Sequence, residues 1–379
     1  MTKVLFVATV VKTHIMEFHV PYLKMLKDMG WETAVAARND YENQDDCVIP
    51  FCDTFFDVPF ARNPFDVRNY TAYKKLKKVI DDGSYDIIHC HTPVGAMLTR
   101  LAARKVRKKG CKVFYTAHGF HFYKGAPLLN WILYYPVERV LARLTDVLIT
   151  ITREDYRRAA KFKASRIEYV PGVGIDLSKY VKKRDDVRNR IRQELAIPLT
   201  SKVLLSVGEL NKNKNHKIVI EALPSLKDVY YIICGRGPLL EKYAELAKKL
   251  QVEQRVRLVG YRNDVPDFYN AADVFVFPSF REGLPVSLME AMASELVCVA
   301  SFNRGTDDLF DGNKELLFKA SDLEELQLKL ETALTRDWSQ ELQRVRKTLE
   351  AYDIVTTTKK VRQLYVEELR NINQRDVHG

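Results

Sequence analysis

No apolar run in the chain approaches the ~20 residues that a membrane-spanning helix requires. The first apolar run, Val4 to Val11, is bounded by Lys3 and Lys12 and lacks a small-residue cleavage site, so it is expected to be a buried strand and not a signal peptide. Cysteine is scarce. Cys47, Cys52, Cys90, Cys111, Cys234 and Cys298 include no C-x-x-C pair and no histidine partner at zinc-finger spacing, which makes a reduced cytoplasmic protein without a structural metal the simplest expectation. The G-x-G-x-x-G fingerprint is missing after the first strand and at Cys234-Gly235-Arg236-Gly237-Pro238, which argues against a nicotinamide enzyme. There is no solenoid-period repeat and no low-complexity segment. Acidic residues are the minority, 49 against 60 Lys and Arg, for a net charge of +11.

What is present points to two domains. A chain of 379 residues is too long for one hydrophobic core, and 46% hydrophobic with 29% charged residues describes a soluble globular protein. Short apolar runs alternate with amphipathic helical stretches throughout, the pattern of parallel α/β sheets covered by helices. Strands are expected at Val4 to Thr9, Thr33 to Ala37, Ile87 to Cys90, Val113 to Thr116 and Val147 to Thr150. A second set is expected at Val203 to Val207, Tyr230 to Cys234, Val256 to Val259, Val274 to Phe277 and Val297 to Ala300. Two comparable sets imply two Rossmann-like domains, 1–175 and 176–351, with the boundary at Val170-Pro171-Gly172-Val173-Gly174-Ile175-Asp176 ahead of the charged stretch Lys179 to Arg192. The tail, 352–379, carries Ile354, Val355, Val361, Leu364, Tyr365 and Val366 at helical spacing and is expected to pack as a terminal helix.

The positive charge gathers in the first half, at Lys74, Lys75, Lys77 and Lys78 and then at Arg100, Arg104, Lys105, Arg107, Lys108, Lys109 and Lys112. Such a face attracts polyanions, whether nucleic acid or anionic lipid. The neighbouring segment Phe120 to Tyr135 suits a water–lipid boundary and favours lipid, so peripheral contact with an anionic membrane is expected and nucleic acid is not.

The stretch 278–294, PSFREGLPVSLMEAMAS, carries the most specific chemistry. It follows the strand Val274 to Phe277; Gly283 and Pro285 break the strand and begin a helix, with Pro285 near its first turn, where a missing N–H costs nothing, and Leu288, Met289, Ala291, Met292 and Ala293 continue it. A helix starting at the carboxyl end of a parallel strand directs free backbone N–H groups at a phosphate. Glu282 in the loop and Glu290 on the helix are acceptor-only groups suited to hydroxyl-rich partners, a sugar ring and a ribose. The competing reading is a capping box, Ser279-x-x-Glu282. Gly208-Glu209-Leu210-Asn211-Lys212-Asn213-Lys214 closes the second domain's first strand, with a glycine for the turn and lysines to meet a diphosphate. Gly235 closes the next strand, and Arg262 lies in Gly260-Tyr261-Arg262-Asn263-Asp264 after the one beyond. In the first domain His118 sits directly after a strand. His89 and His91 alternate on another strand and have the spacing of a metal pair, but no further ligand follows closely.

The stretch 278–294 resembles the E-x7-E signature of the large family of retaining glycosyltransferases whose fold is called GT-B, nearest to bacterial capsule and exopolysaccharide enzymes. The resemblance implies an α/β fold of two Rossmann-like domains with parallel sheets facing across a cleft and a last helix that returns to the first domain. It implies a retaining transfer of a sugar from a nucleotide-sugar donor, UDP-linked by expectation, to a glycan or lipid-linked acceptor in cell-surface polysaccharide synthesis, at the inner face of the cell membrane. His118, Glu282 and Lys214 would then serve catalysis. Gly208, Glu209, Lys212, Gly235, Arg262, Gly283, Leu284, Pro285, Val286, Ser287 and Glu290 would hold the donor, and no cofactor or metal is expected. The chain departs from the family at Glu209, where many members have arginine, and Lys212, Arg281 and Arg304 are the candidates to replace that charge. It departs again at Glu295, where glycine is usual at a helix end. His14, Glu17 and His19 stand where many members have paired glycines, which suggests an acceptor role. Two alternatives remain: a sugar-nucleotide epimerase of the same fold, and a non-enzymatic basic adaptor for membrane or nucleic acid.

Overall fold

The computed structural model describes residues 1–180 and 184–376, with side chains through Arg370. Residues 181–183 of the charged stretch and 377–379 of the tail lie outside the described residues. The chain forms two compact units, Met1–Gly174 with the terminal segment from Ile354, and Ile175–Asp353.

The first unit is a seven-stranded parallel sheet: β1 (Lys3–Val10), β2 (Glu32–Arg38), β3 (Thr54–Asp57), β4 (Ile87–His91), β5 (Lys112–Ala117), β6 (Val147–Thr150) and β7 (Arg166–Tyr169), in spatial order β3-β2-β1-β4-β5-β6-β7. The second is a six-stranded parallel sheet: β8 (Lys202–Val207), β9 (Val229–Cys234), β10 (Val256–Gly260), β11 (Val274–Phe277), β12 (Val297–Ser301) and β13 (Leu317–Phe318), in order β10-β9-β8-β11-β12-β13. All ten strands expected from apolar runs are present. The three that sequence patterning missed, β3, β7 and β13, lie at sheet edges. β3 and β7 hold no fully buried residue and β13 has only two residues, so none leaves an apolar run to find.

Central strands are buried on both faces, as in β1, where Val4 to Val10 are all buried. Each sheet therefore carries two apolar cores, one per face. In the first unit one face is closed by helix Val20–Asp28 and by the terminal helix Ile354–Asp376, whose Val361, Leu364 and Tyr365 are buried in that core. Gly174 makes the terminal helix's approach possible: its φ of +80° is one that favours glycine, and a Cβ there would stand 2.4 Å from Thr357 Oγ1 and 2.6 Å from Ile354 Cα.

Strand order reverses between β1 and β4 in the first sheet and between β8 and β11 in the second. At such a point the loops leaving two neighbouring strands diverge to opposite faces and open a crevice at the strands' carboxyl ends. Both clusters of candidate residues sit at these two reversals.

Candidate active site

In the second unit, the loop after β8 and the loop after β11 are stitched together. Phe280 N–H donates to Asn213 O at 2.8 Å, and Asn213 Nδ2 donates to Arg281 O at 2.9 Å. Asn215, in a left-handed conformation at φ 54°, donates through Nδ2 to Pro278 O and Ala320 O. This stitching brings Lys214 Nζ to 2.8 Å from Glu282 Oε1, with both side chains about four-fifths buried and Phe277 under the ammonium at 5.1 Å. Two residues 68 apart in sequence thus form one ion pair at the crevice. Glycines allow the loops to meet. Gly208 and Gly235 both have φ 157°, and a Cβ on Gly235 would stand 1.9 Å from Gly208 O. Gly283 O is likewise so close to Gly305 that a Cβ there would lie 1.6 Å away.

The capping-box reading is excluded by geometry. Helix Val286–Ala293 has Pro285 as its N-cap, so Ser279 and Glu282 precede the helix as loop residues. Leu284 and Pro285 lead into this helix start, with Val286 and Ser287 in its first turn, where backbone N–H groups have no partner inside the helix. Glu290, one turn further on, accepts from Tyr180 OH at 2.5 Å and Tyr269 OH at 2.8 Å. Burial first, then the Glu290 carboxylate, holds both phenols far above their usual range, so they act as donors that orient the carboxylate. Sequence reasoning missed both tyrosines, because neither lies in a motif and only folding brings them to Glu290.

Other expected donor residues are placed less centrally. Glu209 is exposed and accepts from Asn211 Nδ2 at 2.9 Å, and Lys212 is exposed. Arg262 makes a two-pronged pair with Asp264 at 2.8 and 2.7 Å, which holds that carboxyl below the usual range. Arg304 Nε donates to Glu282 O at 3.3 Å, so one candidate replacement for the family arginine borders the Lys214 and Glu282 loop; Arg281 is exposed.

In the first unit the reversal gathers His14 from the turn after β1, His91 from the end of β4 and His118 from the end of β5. His91 Nδ1 lies 3.3 Å from His118 Nε2. Burial lowers the His118 pKa to about 4, so the ring is neutral at pH 7. His89 is packed, with Nε2 2.8 Å from Thr116 Oγ1 and Nδ1 on Tyr365 OH of the terminal helix. Beside His14 opens a cavity of about 400 Å³ lined by Thr9, Arg62, Met97, His121 and Tyr134 among others. Two members of the expected basic face are drawn inward: Arg100 is buried, paired with Glu138 at 2.8 Å and stacked on Tyr115 at 4.2 Å, and Lys112, on β5, is largely buried and paired with Glu368 of the terminal helix at 3.3 Å.

Among solved structures, the chain is similar to Anabaena Alr3699/HepE in complex with UDP and glucose, with a TM-score of 0.77, 20% identity and coverage of 97% of this chain and 100% of that one. The fold is GT-B, and the class is that of the glycosyltransferases. Residues 187–350 match the family model for glycosyl transferases group 1, and residues 22–179 that for Glycosyltransferase Family 4. The chain is 42% identical over 327 residues to EpsD of Bacillus subtilis (strain 168), covering 84% of each. It is 28% identical over 340 residues to the UDP-Gal:alpha-D-GlcNAc-diphosphoundecaprenol alpha-1,3-galactosyltransferase of Escherichia coli, again covering 84% of each. The chain belongs to the family-four type of glycosyltransferase.

Proposed function

We propose that this glycosyltransferase moves a sugar from a UDP-sugar to a lipid-linked or glycan acceptor in cell-surface polysaccharide synthesis, with retention of anomeric configuration. The carrying observation is the Lys214 and Glu282 pair, 2.8 Å apart beside the free N–H groups of helix Val286–Ala293. As the glycosidic bond stretches, charge grows on the departing diphosphate. Lys214 and those N–H groups oppose it, so that step needs no metal ion. Glu282 accepts from the sugar's hydroxyls. Glu290, held by Tyr180 and Tyr269, accepts from the ribose. His118 positions the sugar or its acceptor, and the leaving phosphate takes the acceptor's proton.

The UDP and lipid-linked parts of this reading draw on a structural neighbour solved with UDP and on a relative whose name specifies a UDP-Gal donor and a diphosphoundecaprenol acceptor. Membrane contact draws support from helix Leu128–Leu141. Its aromatic residues Trp131, Tyr134 and Tyr135 pack on the core, while Leu128, Leu129, Ile132, Leu133 and Val140 are exposed. Among the described residues no helix is long and apolar enough to cross a membrane, so this helix would lie in the interface.

The test is a screen of nucleotide sugars for nucleoside diphosphate release, with and without a lipid-linked acceptor, followed by product anomer assignment by NMR. Release that depends on UDP-sugar and acceptor, with the donor's anomer kept, is expected; inversion refutes the retaining assignment. Lys214→Ala and Glu282→Ala are each expected to lower kcat by at least about a hundredfold, far more than they cost folding as followed by melting. Wild-type rates in both would refute their roles.

A further inference from the structure

Five of the chain's eight histidines converge at the β1 and β4 reversal, and four of them, His14, His19, His91 and His118, bring ring nitrogens within 4.8 Å of one another. The fifth, His89, has both nitrogens engaged by Thr116 and Tyr365. Three of the four are otherwise poorly satisfied. His19 and His91 are 1% and 2% exposed, yet both ring nitrogens of His19 and Nε2 of His91 have no hydrogen-bond partner, and neither does Nε2 of His14. A neutral imidazole always carries one N–H and one lone pair, so His19 buries a donor and an acceptor with nothing to meet either. Four imidazoles, each able to offer one ring nitrogen, thus gather within 4.8 Å of one another, and three of them hold ring nitrogens without a partner.

We propose that His14, His19, His91 and His118 bind one borderline divalent cation, zinc before others, as a clasp within the first unit. Tetrahedral zinc with bonds of 2.0–2.1 Å separates its ligand nitrogens by roughly 3.3–3.4 Å. His91 Nδ1 and His118 Nε2 already stand 3.3 Å apart, and the remaining ligand atoms reach that spacing by small ring movements. His19 and His91 form the buried floor, while half-buried His14 and His118 leave a route in for the ion. Imidazole donors select zinc, nickel or copper over magnesium or calcium, which seek oxygen. The clasp would tie the turn after β1 to the ends of β4 and β5. It takes no part in the donor-side step above, and His118 Nδ1 stays available for the positioning role. The spacing of His89 and His91 lacks a third ligand in sequence; the fold supplies His14, His19 and His118.

The experiment uses the full chain, stripped with a chelator, incubated with zinc or with magnesium and desalted, with metal content measured by mass spectrometry and affinity by competition with a chromogenic chelator. The wild type is expected to retain one zinc per chain and no magnesium. His14→Ala and His118→Ala are expected to weaken zinc binding by about tenfold or more each. The double variant His19→Gln/His91→Gln is expected to lose it, and His216→Gln, in the second unit, to keep it. Circular dichroism and melting of each variant separate loss of a ligand from loss of the fold. Failure of the wild type to retain zinc overturns the proposal. So does retention of wild-type zinc by both folded single variants.

Discussion

At the scale of single residues, Glu295 shows how a side chain persists where glycine is favoured. It follows the end of helix Val286–Ala293 with φ 57°, the left-handed conformation common just past a helix end, and its carboxylate pairs with Arg346. The conformation costs a residue with a Cβ about 1 kcal/mol relative to glycine. Glu295→Gly is therefore expected to raise unfolding free energy by up to about 1 kcal/mol, measured by urea denaturation, with transfer rate unchanged. His216 carries a pH signature. Buried, and beside the Lys214 charge, its ring has a pKa lowered to about 4, with Nδ1 3.2 Å from Tyr231 OH. Above pH 6.5 the ring is neutral in both folded and unfolded chains, so its contribution is fully present. Below that the unfolded chain takes up a proton that the folded chain refuses, and stability falls until the folded ring titrates near pH 4. The stability difference between wild type and His216→Gln should shift against the wild type by on the order of 3 kcal/mol from pH 7 to 4, measured by denaturation at each pH. A pH-independent difference would refute this assignment.

At the scale of elements, helix Leu128–Leu141 faces two ways, and its inner face depends on one buried pair. Arg100 Nη1 and Nη2 both donate to the Glu138 carboxylate, at 2.8 and 3.1 Å, and Arg100 has no access to water to compensate a loss. Glu138→Ala is expected to destabilise the first unit by about 3–5 kcal/mol, seen in the denaturation midpoint followed by tryptophan fluorescence. A loss below about 1 kcal/mol would mean that Arg100 finds another partner. The helix also shows why sequence periodicity divides its residues only in part. The aromatic residues and leucines of Phe120 to Tyr135 read alike as apolar, and tertiary packing alone sends the former to the core and the latter to the surface. The central strands were legible for the opposite reason: both faces are covered, so every position is apolar and the run stands out. Edge strands β3 and β7, covered less fully, carry no such run.

At the scale of the whole molecule, the exposed leucines and the basic residues belong to one unit. Arg107 Nη1 donates to Arg143 O just past the end of helix Leu128–Leu141, which ties the segment carrying the exposed Arg104 and Lys105 to the end of that helix. Leu129→Glu/Ile132→Glu is expected to lower partition onto anionic vesicles by about tenfold or more in sedimentation, with catalysis of a soluble acceptor retained. Equal partition by the variant would remove this helix from membrane contact. Two sheets, ten of the thirteen strands among the described residues, the loop carrying Glu282 and the turn carrying Lys214 were determined by sequence alone, because apolar runs, glycines and helix starts are local signals. Tertiary structure decided what those residues touch. It paired Lys214 with Glu282, placed Tyr180 and Tyr269 on Glu290, buried Arg100 out of the basic face and gathered four histidines from the turn after β1 and the ends of β4 and β5. These are contacts between segments tens of residues apart, the ion pair and the histidine cluster being set where strand order reverses, and the order of strands in a sheet is written in no local pattern.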